Sequence, residues 1–222
     1  MNQVPYVLFV DDDAGMASSM KFLLDTEKIT CHHFASGEAF LEAIEKKPSL
    51  LNGPGCILLD IRMHTVSGLD VFEHLKTINP QMLMPVSFIT GHGDVPIVTR
   101  VLREGAHDFM QKPIAGEDLL QRIEGYFKES EERLAKDRHH KEVMERVESL
   151  TGKEHLIMQH LFEGEANKEI AEKLGNSVRT VELRRAAIYD KLKVKSVVEL
   201  VRLLESIDWN NQAMQASDEA DQ

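Results

Sequence analysis

Through the first half of the chain, short runs of consecutive apolar residues alternate with segments whose apolar residues recur every three to four positions. Residues 6–10 (YVLFV) read as a strand, and 15–27 as a helix with Met16, Met20, Leu23 and Leu24 on one face. Residues 30–34 (TCHHF) give a second strand. Ser36 stands as N-cap of a helix over 37–47, with Phe40, Leu41 and Ile44 inward and Pro48 beyond its end. A strand over 56–60 (CILLD), a helix over 68–78 and a strand over 86–90 (VSFIT) follow. The helix over 96–105 has Pro96 in its first turn and Gly105 at its end. A strand over 107–110 closes the series, and a long helix begins near Glu117. Five strands alternating with five helices predict the α/β class: a doubly wound, five-stranded parallel sheet covered on both faces.

The pattern changes after residue 127. KESEERLAKDRHHKE is charged all round, with Leu134 its clear apolar site, and it lacks Gly and Pro, which predicts a solvated helix. Apolar spacing resumes at Val143, Met144, Val147 and Leu150, and a second, all-α unit runs to about Leu204. The expected organisation is a first domain over 1–125, a helical linker over 126–147, a second domain over 148–206 and a polar, disordered tail over 207–222. Within the second domain, one helix spans 152–163 and ends at Gly164. A second spans 167–174, capped by Asn167 and stopped by Gly175, and a third spans 178–192, capped by Ser177. Two helices joined by a short glycine-containing turn form a helix-turn-helix, although any small helical bundle uses the same parts. Ile170, Ala171, Leu174, Val178 and Val181 are spaced to hold that pair together.

Composition narrows the class. The 222 residues are 42% hydrophobic and 28% charged, ordinary for a globular protein, and their net charge of −11 excludes a chain that coats nucleic acid along its whole surface. Cys31 and Cys56 match no zinc spacing and suit reduced thiols in a cytoplasmic setting. MNQVPYVLFVDDD lacks the basic start and long apolar core of a signal peptide, and no apolar run is long enough for a membrane span. Charge is uneven, however. Between Arg179 and Lys195 lie six basic residues against Glu182 and Asp190.

The candidate chemistry lies at strand ends. The first strand ends on Asp11, Asp12 and Asp13, and the third on Asp60. In an open parallel sheet, ligands bind outside the carboxyl ends of the strands, and the first and third strands can be neighbours there. Crowded carboxylates call for a cation, and Mg²⁺ suits an all-oxygen site that leaves positions free for a phosphoryl group. A positioned aspartate can then act as nucleophile and form an acyl-phosphate. Thr90 ends the fourth strand with a hydroxyl, and Lys112, just before Pro113, ends the fifth with an ammonium. Those are the groups that three phosphoryl oxygens need.

Over residues 4–125, through VDDD, LLDIRM..SGLD, ITGHGD and QKP, the chain resembles the receiver domain of bacterial two-component response regulators, with their flavodoxin-like fold. The resemblance implies that Asp60 accepts phosphate from a sensor histidine kinase. It implies that Asp12 ligates Mg²⁺, with Asp11 assisting through water and the Arg62 carbonyl contributing, and that Thr90 and Lys112 bind the phosphoryl oxygens. Phe109 stands where the family has an aromatic that changes rotamer when Thr90 moves. His64 departs from the family's usual proline and leaves the loop beside Asp60 freer. Arg62 and His92, each two residues past a site residue, flank the expected path of attacking water.

Residues 148–204, through LTGKE, GEANKEIAEKLGNSVRTVELRR and KLKVKSVVELVRL, resemble the LuxR-type DNA-binding domain, and the whole chain is similar to the FixJ-like regulators of the NarL/LuxR class. The resemblance implies phosphate contacts from Lys168 and Thr180 and base-facing roles for Glu182, Leu183, Arg185 and Ala186, with Arg179 in the same basic turns. Arg184 stands where many relatives have histidine. The leading expectation is therefore a phosphorylation-controlled transcription factor that dimerises on double-stranded DNA and is not an enzyme. The rival reads VDDD as a D-x-D motif: a Mg²⁺-dependent phosphatase with Asp11 as nucleophile and Asp13 as acid/base.

Overall fold

A computed structural model describes residues 4–91, 95–207 and 209. The chain divides into two compact units, Met1–Ala135 and Lys136–Gln222.

The first unit contains strands β1 (Tyr6–Val10), β2 (Thr30–Phe34), β3 (Gly55–Asp60), β4 (Val86–Thr90) and β5 (Asp108–Gln111), all parallel, in the order β2-β1-β3-β4-β5. Helices α1 (Ala14–Thr26), α2 (Gly37–Lys46), α3 (Gly68–Ile78), α4 (Val95–Arg103) and α5 (Gly116–Glu148) connect or follow them. Because β1, β3 and β4 are interior strands, both of their faces must be apolar. Val7, Leu8, Phe9, Leu58, Leu59, Phe88 and Ile89 are accordingly shut off from solvent. One core joins Leu8, Val10, Ile57 and Leu59 to α2 and α3 through Phe40, Ile44, Phe72 and Leu75. The other joins Val7, Phe9 and Leu58 to α1 and α5 through Met20, Leu24, Leu119 and Ile123. Ser36 caps α2 as expected, and Ser67 forms a capping box with Asp70 at α3.

The charged stretch after residue 127 is helical as its composition suggests, but its first turns are not solvated. Ser130 is fully buried, accepting from the Gly55 amide and donating to the Leu83 carbonyl, and Arg133 donates to the Met82 carbonyl. Polar side chains bind this part of α5 to the sheet's loops, a contact that hydrophobic periodicity does not register.

The second unit begins in α5 and adds α6 (Gly152–Phe162), α7 (Asn167–Lys173), α8 (Val178–Leu192) and α9 (Val197–Glu205). Ile157, Ile170, Val181, Ile188, Leu200 and Leu204 form its core. Three expectations are corrected. Asn167 does not cap α7: Ala166 occupies that position, and the Glu169 carboxylate accepts from its amide. Val178 is exposed rather than packed between the two helices. Ile207 and Trp209, assigned to the tail, are buried in this core, whereas 210–222 lie outside the described residues.

Candidate functional site

The sheet order places β1 between β2 and β3, so the acids that follow β1 open beside Asp60 at the end of β3. Asp11 and Asp60 are 1% and 5% exposed, and Thr90, ending β4, is equally buried. The Lys112 ammonium donates to Asp11 Oδ2 at 2.7 Å and to Asp60 Oδ1 at 2.8 Å. The Lys112 amide donates to the Thr90 carbonyl at 2.8 Å, which holds the end of β5 against the end of β4. The remaining oxygens are also held. Asp11 Oδ1 accepts from the Asp13 amide at 2.9 Å, and Asp60 Oδ2 accepts from the Arg62 amide at 2.7 Å.

Local structure explains the positions. Asp13 is exposed and serves as N-cap of α1, accepting from the Gly15 and Met16 amides. Its pKa lies below the ordinary range because of those two bonds. The start of α3 packs directly behind Asp60: a Cβ on Gly68 would stand 2.1 Å from the Asp60 carbonyl oxygen, so only glycine lets the backbones approach this closely. Burial pushes the Asp60 carboxyl above its usual pKa, and the neighbouring Asp11 adds to this, while Lys112 and the Arg62 amide pull the other way without prevailing. Burial disfavours the charge on Lys112, but its bonds to Asp11 and Asp60 outweigh that and raise its pKa.

Two histidines at this edge have contacts that sequence reasoning missed. His64 Nδ1 lies 2.5 Å from Asp12 Oδ2, and His33 Nε2 lies 2.9 Å from the Asp11 carbonyl oxygen. No local pattern links residues so far apart in the chain: the β2-β1 pairing brings His33 to Asp11, and the conformation of the loop after β3 brings His64 to Asp12. Phe109 is half-buried on β5, opposite Phe88. Arg62 is exposed beside Asp60, and His92 lies outside the described residues.

In the second unit, Ser177 caps α8, accepting from the Thr180 amide at 3.1 Å, and its hydroxyl meets that of Thr180 at 2.8 Å. Lys168, Arg179, Glu182, Leu183 and Ala186 are exposed, Leu183 by 64%. Arg185 is half-buried instead: it donates to Asn167 Oδ1 and to the Tyr189 hydroxyl, lying over that ring. Lys191 likewise turns inward to Glu154 at 2.7 Å. The basic segment therefore divides between groups that bind within the fold and groups that face solvent.

A parallel sheet whose carboxyl edge gathers acids around a lysine, with a hydroxyl on the next strand, defines a receiver domain. Residues 7–124 match the family model described as the response regulator receiver domain, and residues 148–204 match that of the bacterial regulatory proteins of the luxR family. The chain belongs to the response regulators, as a FixJ-like member with a LuxR-type helix-turn-helix, and is a phosphorylation-controlled transcriptional regulator. It is 34% identical over 198 residues to the transcriptional regulatory protein FixJ of Bradyrhizobium diazoefficiens, covering 89% of this chain and 93% of that one. With the response regulator protein TodT of Pseudomonas putida it shares 32% over 201 residues, 90% of this chain and 86% of the other. Among solved structures, response regulator StyR matches with a TM-score of 0.75 at 34% identity, over 91% of this chain and 99% of StyR. Full-length FixJ from B. japonicum matches with a TM-score of 0.55 at 31% identity, over 94% and 99%. A receiver implies a histidine kinase as partner and generally binds Mg²⁺ at its phosphoacceptor site; the LuxR-type domain implies DNA. Among the described residues, no helix is long and apolar enough to cross a membrane.

Proposed function

We propose that Asp60 is the phosphoacceptor and that its phosphorylation controls DNA binding by the second unit. The observation that carries this reading is the single ammonium of Lys112 shared between Asp11 and Asp60 at 2.7 and 2.8 Å. In the transfer, an Asp60 oxygen attacks phosphorus, the phosphorus–nitrogen bond of the kinase's phosphohistidine breaks, and the histidine leaves. Lys112 then follows the charge from the carboxylate to the new phosphoryl oxygens, and the Thr90 hydroxyl donates to another of them.

The donor set suits Mg²⁺. Asp11, Asp12, Asp60 and the Arg62 carbonyl offer only oxygen; Asp11 and Asp60 share one ammonium and Asp12 adds a third carboxylate beside His64, leaving an excess of negative charge for a small hard cation. Bound there, Mg²⁺ supplies charge neutralisation to the phosphoryl group. The phosphatase alternative is weaker, because its acid/base, Asp13, is committed to capping α1.

On this reading, Phe109 repacks on β5 as Thr90 moves, and two chains pair so that their second domains meet two half-sites. Lys168, Arg179 and Thr180 contact phosphates; Glu182, Leu183 and Ala186 face the bases. Arg185 joins them only by leaving Asn167 and Tyr189. The first domain then extends past residue 125 to include the α5 turns held by Ser130 and Arg133, and the second extends past 206 to Trp209, in a cytoplasmic protein. Incubation with acetyl phosphate and Mg²⁺ tests the reading: label should accumulate on Asp60 and vanish in Asp60→Asn. Turnover that requires Asp11 and Asp13 but not Asp60 would favour the phosphatase.

A further inference from the structure

One cluster of ligand-type side chains has no part in phosphate chemistry or DNA contact. His160 lies in the last turn of α6, Glu163 is its C-cap, and Gly164 follows with φ of 84°. This left-handed residue reverses the chain, so that the Glu165 amide bonds to the His160 carbonyl at 3.1 Å. The turn brings three side chains to one place. His160 Nδ1 and Glu165 Oε2 face each other at 3.1 Å, and Glu163 Oε2 is 3.7 Å from the same nitrogen. One ligand atom from each lies within 4.8 Å of the others.

Two of those atoms, His160 Nδ1 and Glu165 Oε2, are buried yet make no hydrogen bond; their separation is short enough but their alignment is wrong. Buried polar atoms that meet at ion-pair distance without an aligned hydrogen bond are rare, and a cation held between them would satisfy both. Lys173 holds the other oxygen of Glu165 from behind, fixing that carboxylate as second partners of metal ligands do. One imidazole nitrogen and two carboxylates suit a borderline transition metal rather than Mg²⁺, which takes oxygen alone.

We propose that His160, Glu163 and Glu165 bind a divalent transition metal ion of the zinc type, with water completing its coordination. Ligand separations in a tetrahedral zinc site are about 3.3 Å, so the exposed Glu163, at 3.7 Å from His160 Nδ1, closes in on it by about 0.4 Å. The ion would join the end of α6 to the turn that enters α7, the first helix of the helix-turn-helix.

Equilibrium dialysis of the full chain against Zn²⁺, with Mg²⁺ in excess, tests this in wild type and His160→Gln. Any zinc held by the receiver is common to both, so the difference counts this site alone, and about one zinc fewer per chain is expected in the variant. Trp209, the chain's one tryptophan, is buried in the second unit's core, so its fluorescence follows that unit's unfolding. Zinc should raise the urea midpoint of the wild type and leave that of His160→Gln unchanged. Glu163→Gln, at a side chain 62% exposed, covers the case in which His160→Gln does not fold. It should weaken zinc binding at least about tenfold, since even partners behind a ligand contribute that much. Undiminished zinc uptake by either folded variant, or a wild-type midpoint that zinc does not move, overturns the site.

Discussion

Replacing Asp60 with asparagine should make the metal-free protein more stable, although it removes a buried ion pair. The Asp60 side chain is 7% exposed, and burial together with Asp11 raises its pKa despite Lys112 at 2.8 Å. A raised carboxyl pKa means that the fold disfavours the charged form, at about 1.4 kcal/mol per unit. Asparagine keeps the shape and the acceptor for the Arg62 amide, while Lys112 keeps Asp11. A gain in stability near neutral pH follows, because asparagine carries no charge for burial to penalise. The pH dependence has a definite sign. Because the folded pKa lies above the unfolded one, the wild type's favourable term is fully present below about pH 4 and is lost as pH rises through the folded value. The gap between Asp60→Asn and wild type should therefore open with rising pH. Saturating Mg²⁺ should close it by stabilising the wild type more. Urea unfolding in EDTA, followed by far-UV circular dichroism at several pH values, measures this, with Trp209 fluorescence tracking the second unit as a control. A variant less stable than wild type at neutral pH in EDTA, or a gap that pH leaves unchanged, would refute the reasoning.

Gly68→Ala should cost about 1–3 kcal/mol and slow labelling of Asp60 by acetyl phosphate, because its Cβ would stand 2.1 Å from the Asp60 carbonyl oxygen; urea titration and a label time course read both effects. Glu154→Gln should lower the stability of the second unit by about 1–2 kcal/mol, read by Trp209 fluorescence, since Glu154 closes a capping box with Thr151 and binds Lys191. The Lys191 ion pair and the Thr151 bonds hold the Glu154 pKa at about 2, so its contribution is present above the usual carboxylate range and is lost as pH falls toward about 2. Arg179→Ala should reduce the salt dependence of DNA binding by about one counterion, whereas Leu183→Ala, at an exposed apolar position, should weaken binding without changing that slope. Binding titrations across a salt series separate the two.

The first unit was legible because its interior strands are apolar on both faces and end abruptly on chemistry. All five strands match their sequence-read spans to within a residue at each end, with β5 displaced by one. Caps at Ser36 and Ser177 were readable because a cap is a local event. What the sequence hid depends on side chains meeting across the fold. Ser130 gives no periodic signal, and its burial follows from Gly55 and Leu83 being beneath it. Asn167 has the right type for a cap, yet it holds Arg185. Arg185 sits in a basic run that composition marks for DNA, and Tyr189 one turn later draws it inward. The convergence of Asp11, Asp60 and Lys112 was inferable from strand order, but the approach of His64 to Asp12 was not, because it depends on loop conformation.

The most direct test is the affinity of the full chain for its selected DNA at fixed salt, before and after treatment with a phosphodonor and Mg²⁺, in wild type and Asp60→Asn. Wild type should tighten by about 5–150-fold, the range of coupling between two sites in one protein, and the variant should not respond. An Asp60→Asn protein that tightens as much as wild type would contradict control through that carboxylate.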